Sequence, residues 1–204
     1  METSTSPANR PLVLASASPY RRALLERLGL PFVCVAPRID ETPRPGEQVA
    51  QSAVRLAEAK ARAVAAQHPA ALIIGCDQIA DCHGVAIGKP RDRADALEQL
   101  RTMRGRTVVF HTAVALLDAR TDTVRHALVD VTSTFRQLDD ATLSAYLDRE
   151  QPFDCAGSVK AEGLGIALFT RLSSDDPTAL IGLPLIRLTD LLEAEGVRPV
   201  VAAA

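Results

Sequence analysis

The pattern of apolar and polar positions along the chain predicts helices that alternate with strands. Short apolar runs are typical of extended, buried segments and occupy residues 11–15, 32–36, 71–76 and 85–87. Two longer runs with strand character, at 107–117 and 123–135, predict a hairpin. Apolar residues with helical spacing predict helices at 19–28, 49–67, 92–103, 139–149 and 184–195. The glycine-containing segment 157–169 is predicted to be partly strand.

This alternation indicates an α/β fold with a mixed sheet, because strand–helix units favour parallel neighbours whereas a hairpin is antiparallel. Residues 1–10 are polar and are predicted to be a disordered tail, residues 11–198 a single domain, and residues 199–204 a second short tail. The chain contains neither a G-x-x-x-x-G-K-[ST] loop nor a G-x-G-x-x-G fingerprint, which argues against P-loop and Rossmann nucleotide sites.

Composition restricts the class of protein. Of 204 residues, 47% are hydrophobic and 24% charged, as in an ordinary soluble globular protein, and no apolar run approaches the ~18 residues of a membrane span. The net charge of −2 offers no general attraction to nucleic acid or to an anionic membrane. The four cysteines lack C-x-x-C spacing, which argues against zinc and favours a reducing cytoplasm.

The segment 16–22, Ser-Ala-Ser-Pro-Tyr-Arg-Arg, follows a predicted strand and opens a predicted helix. Free N–H groups at a helix N-terminus bind phosphate well, and Ser16, Ser18 and Arg21 would complete an anion site. An ordinary helix cap with surface arginines explains the same residues equally well.

Two acidic segments are candidates for a metal site. Asp40 and Glu41 lie in a proline-rich loop, and Asp77 follows a predicted buried strand, where α/β folds place their ligands. Carboxylates from separate elements can hold Mg²⁺ or Mn²⁺ together with substrate phosphates. Taken alone, Asp77 is better explained as a turn residue or a helix cap.

Lysine is scarce, since the chain has 20 arginines but only Lys60, Lys89 and Lys160. Lys60 flanks the apolar stripe of its helix, and Lys89 lies in a Gly-Lys-Pro turn; compact ammonium groups suit phosphate oxygens. Chance placement of three residues is the alternative.

Glu162 precedes the glycines of a loop and would accept hydrogen bonds from a base edge, or is simply a solvated turn residue. The scattered histidines indicate no nucleophilic triad.

Several motifs in one order resemble the Maf-type nucleotide pyrophosphatases over residues 12–197. They are ASASPYRRALLERLGL, IDETP, RLAEAKA, LIIGCDQ, GKP, CAGSVKAEGLG and LIGLPL. The resemblance implies an elongated, two-lobed α/β domain with a strongly twisted mixed sheet and a cleft between the lobes. It implies Asp77 as the proton acceptor for water, and Glu41 with Asp77 as ligands of a divalent metal. Arg21, Lys60 and Lys89 would bind the triphosphate, and Ser16 would also bind the substrate.

Three positions indicate which base is bound. Tyr20, Gln78 and Glu162 resemble the YceF-like branch of the family, which acts on 7-methyl-GTP, rather than the branch acting on dTTP and UTP. A 7-methylguanine ring is cationic, so an aromatic face at Tyr20 attracts it, by about 0.5–2 kcal/mol. Glu162 would accept hydrogen bonds from the guanine edge and neutralise that charge.

The expected activity is therefore hydrolysis of 7-methyl-GTP to 7-methyl-GMP and pyrophosphate. The alternatives are a dTTP/UTP pyrophosphatase and a non-catalytic nucleotide-binding regulator of division. The expected partner is a small nucleotide, without nucleic acid or membrane, and the predicted hairpin is a candidate surface for a homodimer.

Overall fold

The computed structural model describes residues 10–200, which form one mixed sheet covered by helices. The strands are β1 (Leu12–Ala15), β2 (Val33–Cys34), β3 (Leu72–Cys82), β4 (Val85–Ile87), β5 (Thr107–Asp118), β6 (Thr123–Phe135) and β7 (Phe169–Ser173). The α-helices are α1 (Pro19–Glu26), α2 (Val49–Ala65), α3 (Arg93–Met103), α4 (Asp140–Glu150) and α5 (Leu185–Ala194). None of the helices in residues 10–200 is both long enough and apolar enough to cross a membrane.

The strand order is β2-β1-β3-β5-β6-β7, and β4 pairs with the end of β3. Strand β1 is parallel to both of its neighbours, whereas the pairings of β3 with β4, β3 with β5, β5 with β6 and β6 with β7 are antiparallel. The predicted α/β fold with a mixed sheet is thereby confirmed, and so is the long hairpin, whose register runs from Thr107–Thr134 to Asp118–Thr123.

Three predicted boundaries are wrong. Strand β3 continues to Cys82 instead of ending at residue 76, because antiparallel β5 keeps pairing with it as far as Asp81. Strand β2 is only two residues long. The segment before β7 forms short 3-10 helices at Ala156–Ser158 and Leu164–Leu168, and the strand begins where the predicted one ended.

The predicted tails lie almost wholly outside the described residues. Arg10, at the edge of the first one, is anchored in the fold, since its guanidinium donates to both carboxylate oxygens of Asp118. Only 4% of the Arg10 side chain is exposed. Residues from Arg10 onward therefore belong to the folded domain.

The core of the described residues contains two large apolar clusters along β3 and β5, and two smaller clusters that include residues of α2. One large cluster packs α1 and α5 against the first half of β3, and includes Leu24, Ile74 and Leu188. The other packs α3 and α4 against the second half, around Leu100 and Phe110. These clusters correspond to the two expected lobes. Cys76 belongs to the first cluster and Ala80 to the second, so residues 77–79 lie at the boundary between them.

Gly75 allows α2 to approach β3 closely at this boundary. A Cβ atom there would lie 2.0 Å from the carbonyl oxygen of Ala57 and 2.8 Å from the nitrogen of Ala61. Both distances are shorter than any tolerable contact, so no larger residue fits without moving the helix. The close approach brings the side chain of Lys60, on the same face of α2, to the middle of β3.

Candidate functional site

A cavity of about 360 Å³, here called the main cavity, opens where the two apolar clusters meet. Nine of the ten residues proposed from sequence line it, namely Ser18, Tyr20, Arg21, Glu41, Lys60, Asp77, Gln78, Lys89 and Glu162. Ser16, the tenth, lines an adjoining cavity of about 250 Å³ that shares Ser18, Arg21, Glu41, Lys60 and Lys89 with the first. The structure therefore brings together residues that the sequence spreads over 147 positions, from 16 to 162.

Asp77 lies at the centre of the site, inside β3 and not after its end as predicted. Its Oδ1 atom lies 2.5 Å from the Nζ atom of Lys60, and the same ammonium lies 3.0 Å from Oε1 of Glu41. Lys60 and Asp77 are 7% and 5% exposed, whereas the Glu41 side chain is 58% exposed. The lysine thus bridges a buried and a solvated carboxylate.

Burial raises the pKa of Asp77 above the usual range of an aspartate, because it penalises the charged form. Lys60 and Arg21 oppose that shift in pKa, while Glu41 adds to it. A carboxylate with a raised pKa is a better proton acceptor than an ordinary carboxylate. A perturbed pKa in a cavity is also common among catalytic residues.

At the start of α1, Ser18 caps the helix, whereas the side chain of Arg21 lies in the site. The Ser18 hydroxyl accepts from the backbone N–H of Arg21, and Ser16 Oγ accepts from the N–H of Ser18. The Arg21 side chain lies in the site, where its Nε donates to the carbonyl oxygen of Gly182 over 2.9 Å. Arg22, in contrast, is a surface residue paired with Glu26.

Gln78 holds the wall of the cavity together. Its amide nitrogen lies within hydrogen-bonding distance of Thr112 Oγ1 and of the carbonyl oxygens of Ala179 and Leu180, at 3.0, 2.8 and 3.1 Å. These partners occupy the donor capacity of the amide, so Gln78 fixes the neighbouring segment of the site.

The segment 174–186, which sequence reasoning did not single out beyond its LIGLPL motif, forms that wall. Buried Asp176 accepts from the backbone N–H groups of Thr178 and Ile186 at 2.9 and 2.7 Å. The segment also accepts hydrogen bonds from Arg21 and Cys76 through the carbonyl oxygen of Gly182. Asp176 therefore fixes the backbone on which these carbonyl groups are presented.

Lys89 lies in an exposed turn that is tied to the second lobe. The N–H of Gly157 donates to the carbonyl oxygen of Gly88 over 2.9 Å. Gly157 has a φ of +65°, a conformation that glycine adopts without strain. The exposed Lys89 ammonium thus borders both cavities from a defined backbone position.

One part of the main cavity, here called the Tyr20 end, consists of Tyr20 and the nearby Asp154, Cys155 and Glu162. The Tyr20 hydroxyl donates to Oδ1 of Asp154 over 3.3 Å. Sequence reasoning missed Asp154, which directly precedes the CAGSVKAEGLG motif, and gave no role to Cys155, the first residue of that motif. The part formed by Arg21, Lys60 and Asp77 is here called the Lys60 end.

Glu150 anchors the loop that carries Glu162. Its carboxylate accepts from the backbone N–H of Leu164 over 2.6 Å and pairs with the Lys160 ammonium at 2.8 Å. These interactions hold the pKa of Glu150 below its usual range, with Lys160 as the main cause. The Lys160 ammonium also lies 5.9 Å from the centre of the Tyr20 ring, so this lysine is not simply a solvated one.

A divalent metal fits this site only together with a ligand that brings oxygen atoms. Glu41 and Asp77 supply the oxygen donors that Mg²⁺ and Mn²⁺ prefer. Within residues 10–200, however, no group of three or more histidine, cysteine or acidic side chains is arranged to hold a metal. Substrate phosphates would have to complete the coordination.

The chain is similar to several known proteins. A family model described as Maf-like protein matches residues 11–195. A 7-methyl-GTP pyrophosphatase of Ralstonia nicotianae is 59% identical over 89% of this chain and 94% of its own length. A protein of the same name from Polaromonas sp. is 54% identical over 96% of this chain and 89% of its own length. Among solved structures, a HAM1 protein from Coxiella burnetii matches 63% of this chain and 74% of its own at 20% identity, with a TM-score of 0.44.

Proposed function

Because this chain belongs to the Maf family, we propose that it hydrolyses 7-methyl-GTP to 7-methyl-GMP and pyrophosphate. The observation that carries the proposal is that a buried aspartate with a raised pKa, three cations and the Tyr20–Glu162 pair line one cavity. The broader assignment, a nucleotide pyrophosphatase, also follows from the names of its relatives, which match it over most of both chains.

In the proposed reaction Asp77 accepts a proton from the attacking water. The water oxygen bonds to the α-phosphorus, the bond from that phosphorus to the bridging oxygen breaks, and the electron pair leaves with pyrophosphate. Lys60 holds the Asp77 carboxylate in place through its 2.5 Å contact. A carboxylate inside a strand keeps its position during the reaction, which lowers the cost of reaching the transition state.

Negative charge increases on the leaving pyrophosphate, so fixed positive charges around it carry much of the rate enhancement. Arg21, Lys60 and Lys89 supply three such charges from α1, α2 and the turn after β4. Ser16 and Ser18 lie at the N-terminus of α1, where the helix dipole also favours phosphate.

A divalent metal is part of the proposal. Glu41 and Asp77 would hold Mg²⁺ or Mn²⁺ together with phosphate oxygens, and the metal would supply charge that neutralises the triphosphate. Lys60, which bridges the two carboxylates, would then neutralise the remaining charge of the same pair.

The base would bind at the Tyr20 end. Half-buried Tyr20 would stack on the cationic ring, and exposed Glu162 would accept hydrogen bonds from N1–H and the exocyclic amine of guanine. A pyrimidine has no matching pair of donors. Gln78 would act on the base indirectly, because its amide nitrogen already holds the cavity wall.

Compartment, partner and oligomeric state are also part of the proposal. We place it in the cytoplasm, with a small nucleotide as its partner and without nucleic acid or membrane. A homodimer through the hairpin is also proposed, because β7 pairs with only Thr132–Phe135 of β6 and leaves the earlier part of that strand edge open.

The test is pyrophosphate release from 7-methyl-GTP, GTP, dTTP and UTP, with Mg²⁺ or Mn²⁺ and with a chelator. We expect the highest kcat/KM for 7-methyl-GTP and loss of activity with the chelator. Higher activity on dTTP or UTP would overturn the substrate, and no release from any nucleotide would favour the non-catalytic regulator. Glu162→Gln should lower the preference for 7-methyl-GTP; unchanged selectivity would remove Glu162 from base recognition.

A further inference from the structure

We propose that Asp154 is a second acidic specificity residue, which favours a positively charged purine through its own charge and through the Tyr20 hydroxyl. The inference rests on the proposed function, since it concerns how the same site distinguishes 7-methyl-GTP from GTP. Asp154 is a specificity residue and not a catalytic one, because its carboxylate contacts Tyr20, whereas Asp77 is paired with Lys60.

The placement of Asp154 carries the inference. Its Oδ1 atom accepts the hydrogen bond from the Tyr20 hydroxyl at 3.3 Å, and its side chain lines both cavities. A hydrogen bond donated to a carboxylate makes a phenol ring richer in electrons, and the negative face of such a ring attracts cations more strongly.

The charges that line the main cavity are not evenly distributed. Arg21 and Lys60 lie around Asp77, whereas Asp154 and Glu162 lie near the Tyr20 hydroxyl, and Lys89 borders both cavities. Burial raises the pKa of Tyr20, and the nearby Cys155, Asp154 and Glu162 raise it further, as expected where negative charge surrounds the hydroxyl.

Lys160 places a cation beside the Tyr20 ring. Its ammonium lies 5.9 Å from the centre of the Tyr20 ring, while Glu150 holds it at 2.8 Å. Lys160 therefore offsets part of the negative charge of the Tyr20 end. Removing its charge and removing that of Asp154 should change the preference for a cationic base in opposite directions.

The two nucleotides differ by one methyl group and one positive charge, so a nearby carboxylate distinguishes them mainly by Coulomb attraction. Asp154 is exposed, which keeps that attraction modest and sensitive to salt. Asp154→Asn removes the charge but retains an oxygen that can accept from the Tyr20 hydroxyl. The substitution thus separates charge from geometry.

The experiment measures kcat/KM for 7-methyl-GTP and GTP at low and high KCl, with wild-type protein and three variants. We expect Asp154→Asn to reduce the ratio of 7-methyl-GTP to GTP about three- to tenfold, and Lys160→Met to raise it about twofold. High salt should reduce the ratio of the wild type more than that of Asp154→Asn. Glu193→Gln makes the same charge change on an exposed residue of α5 that lines neither cavity, and should leave the ratio unchanged.

Two results would overturn the inference. An unchanged ratio in Asp154→Asn would show that its charge does not act on the base, and an equal loss on both nucleotides would then assign Asp154 to a part that they share, such as the ribose. A lower ratio in Lys160→Met would contradict the charge account. A wild-type protein without preference for 7-methyl-GTP over GTP would instead overturn the proposed function itself, and the first measurement shows this separately.

Discussion

Lys60→Met tests the arrangement at the centre of the site. The substitution removes the ammonium that bridges Asp77 at 2.5 Å and Glu41 at 3.0 Å, while it keeps an unbranched apolar chain against α2 and β3. Glu41 is largely solvated and loses little. Asp77, which is 5% exposed, loses the larger of the two influences that lower its pKa.

The size of the effect follows from burial. Leaving one member of a buried ion pair without its partner costs about 3–5 kcal/mol if it stays charged. The carboxyl group of Asp77 avoids the cost by keeping its proton, and its pKa should therefore rise further above the usual range of an aspartate.

The assay is the pH dependence of kcat/KM for pyrophosphate release. Burial already raises the pKa of Asp77, so the acid limb of the wild type should lie above the ordinary aspartate value of about 3.9. In Lys60→Met this limb should move to higher pH, because Asp77 acts only as the carboxylate and has lost the cation that lowers its pKa most.

The free energy of unfolding of Lys60→Met should also depend on pH, in the direction set by the raised pKa of Asp77. Since the pKa of Asp77 is higher in the folded than in the unfolded state, the cost of the buried charge is absent below the unfolded pKa. It grows as the pH rises towards the folded pKa. Urea unfolding should therefore show that Lys60→Met is destabilised more at pH 8 than at pH 5.

Two further variants make the result specific. Lys60→Arg keeps the positive charge and should leave the acid limb near that of the wild type. Lys89→Met removes an exposed cation that lines the cavity and should lower activity without moving the limb. An acid limb of Lys60→Met that coincides with that of the wild type would refute the reasoning, because the titrating group would then not be held by Lys60.

Two other substitutions test the surroundings of the site. Gly75→Ala forces α2 away from β3, because the new Cβ would lie 2.0 Å from the carbonyl oxygen of Ala57. We expect the free energy of unfolding, measured in urea, to fall by about 1–3 kcal/mol, and kcat to fall at least tenfold. The control is Gly29→Ala, which has open space but a φ of +65° and should lower stability without lowering kcat. Glu150→Gln should weaken the contacts of the loop at Leu164 and Lys160, and so raise KM for 7-methyl-GTP severalfold with kcat nearly unchanged. An equally large fall in kcat would contradict a role confined to base binding.

Local sequence patterns predicted the positions of some residues that line the cavity. Lys60 was identified because it flanks the apolar stripe of α2, and the structure places that flank against β3. The Ser-Pro start of α1 predicted the cap that the structure shows at Ser18. Both features depend on spacing within one helix, which a sequence displays directly.

Features that depend on packing between distant segments could not be predicted in this way. Asp154 meets Tyr20 across 134 positions, and Gln78 meets Ala179 across 101. Buried Asp176 was missed because an Asp-Pro pair in a loop normally indicates only a turn. Nothing in the local pattern distinguishes an aspartate that fixes a cavity wall from one that faces water.

Asp77 was predicted to follow the end of β3 but lies inside that strand, and the pairing of the sheet explains why it still lies in the cavity. Ligands bind beyond the carboxyl ends of parallel strands, and parallel β1 pairs with β3 only as far as Ala15 and Gly75. Asp77 lies two residues beyond that point, beside the Ser16–Ser18 segment that follows β1. The rule therefore holds for the parallel half of the sheet, while antiparallel β5 continues to pair with β3 on the other side. Because of that continuing pairing, Asp77 is buried in a rigid strand, which both raises its pKa and fixes its position.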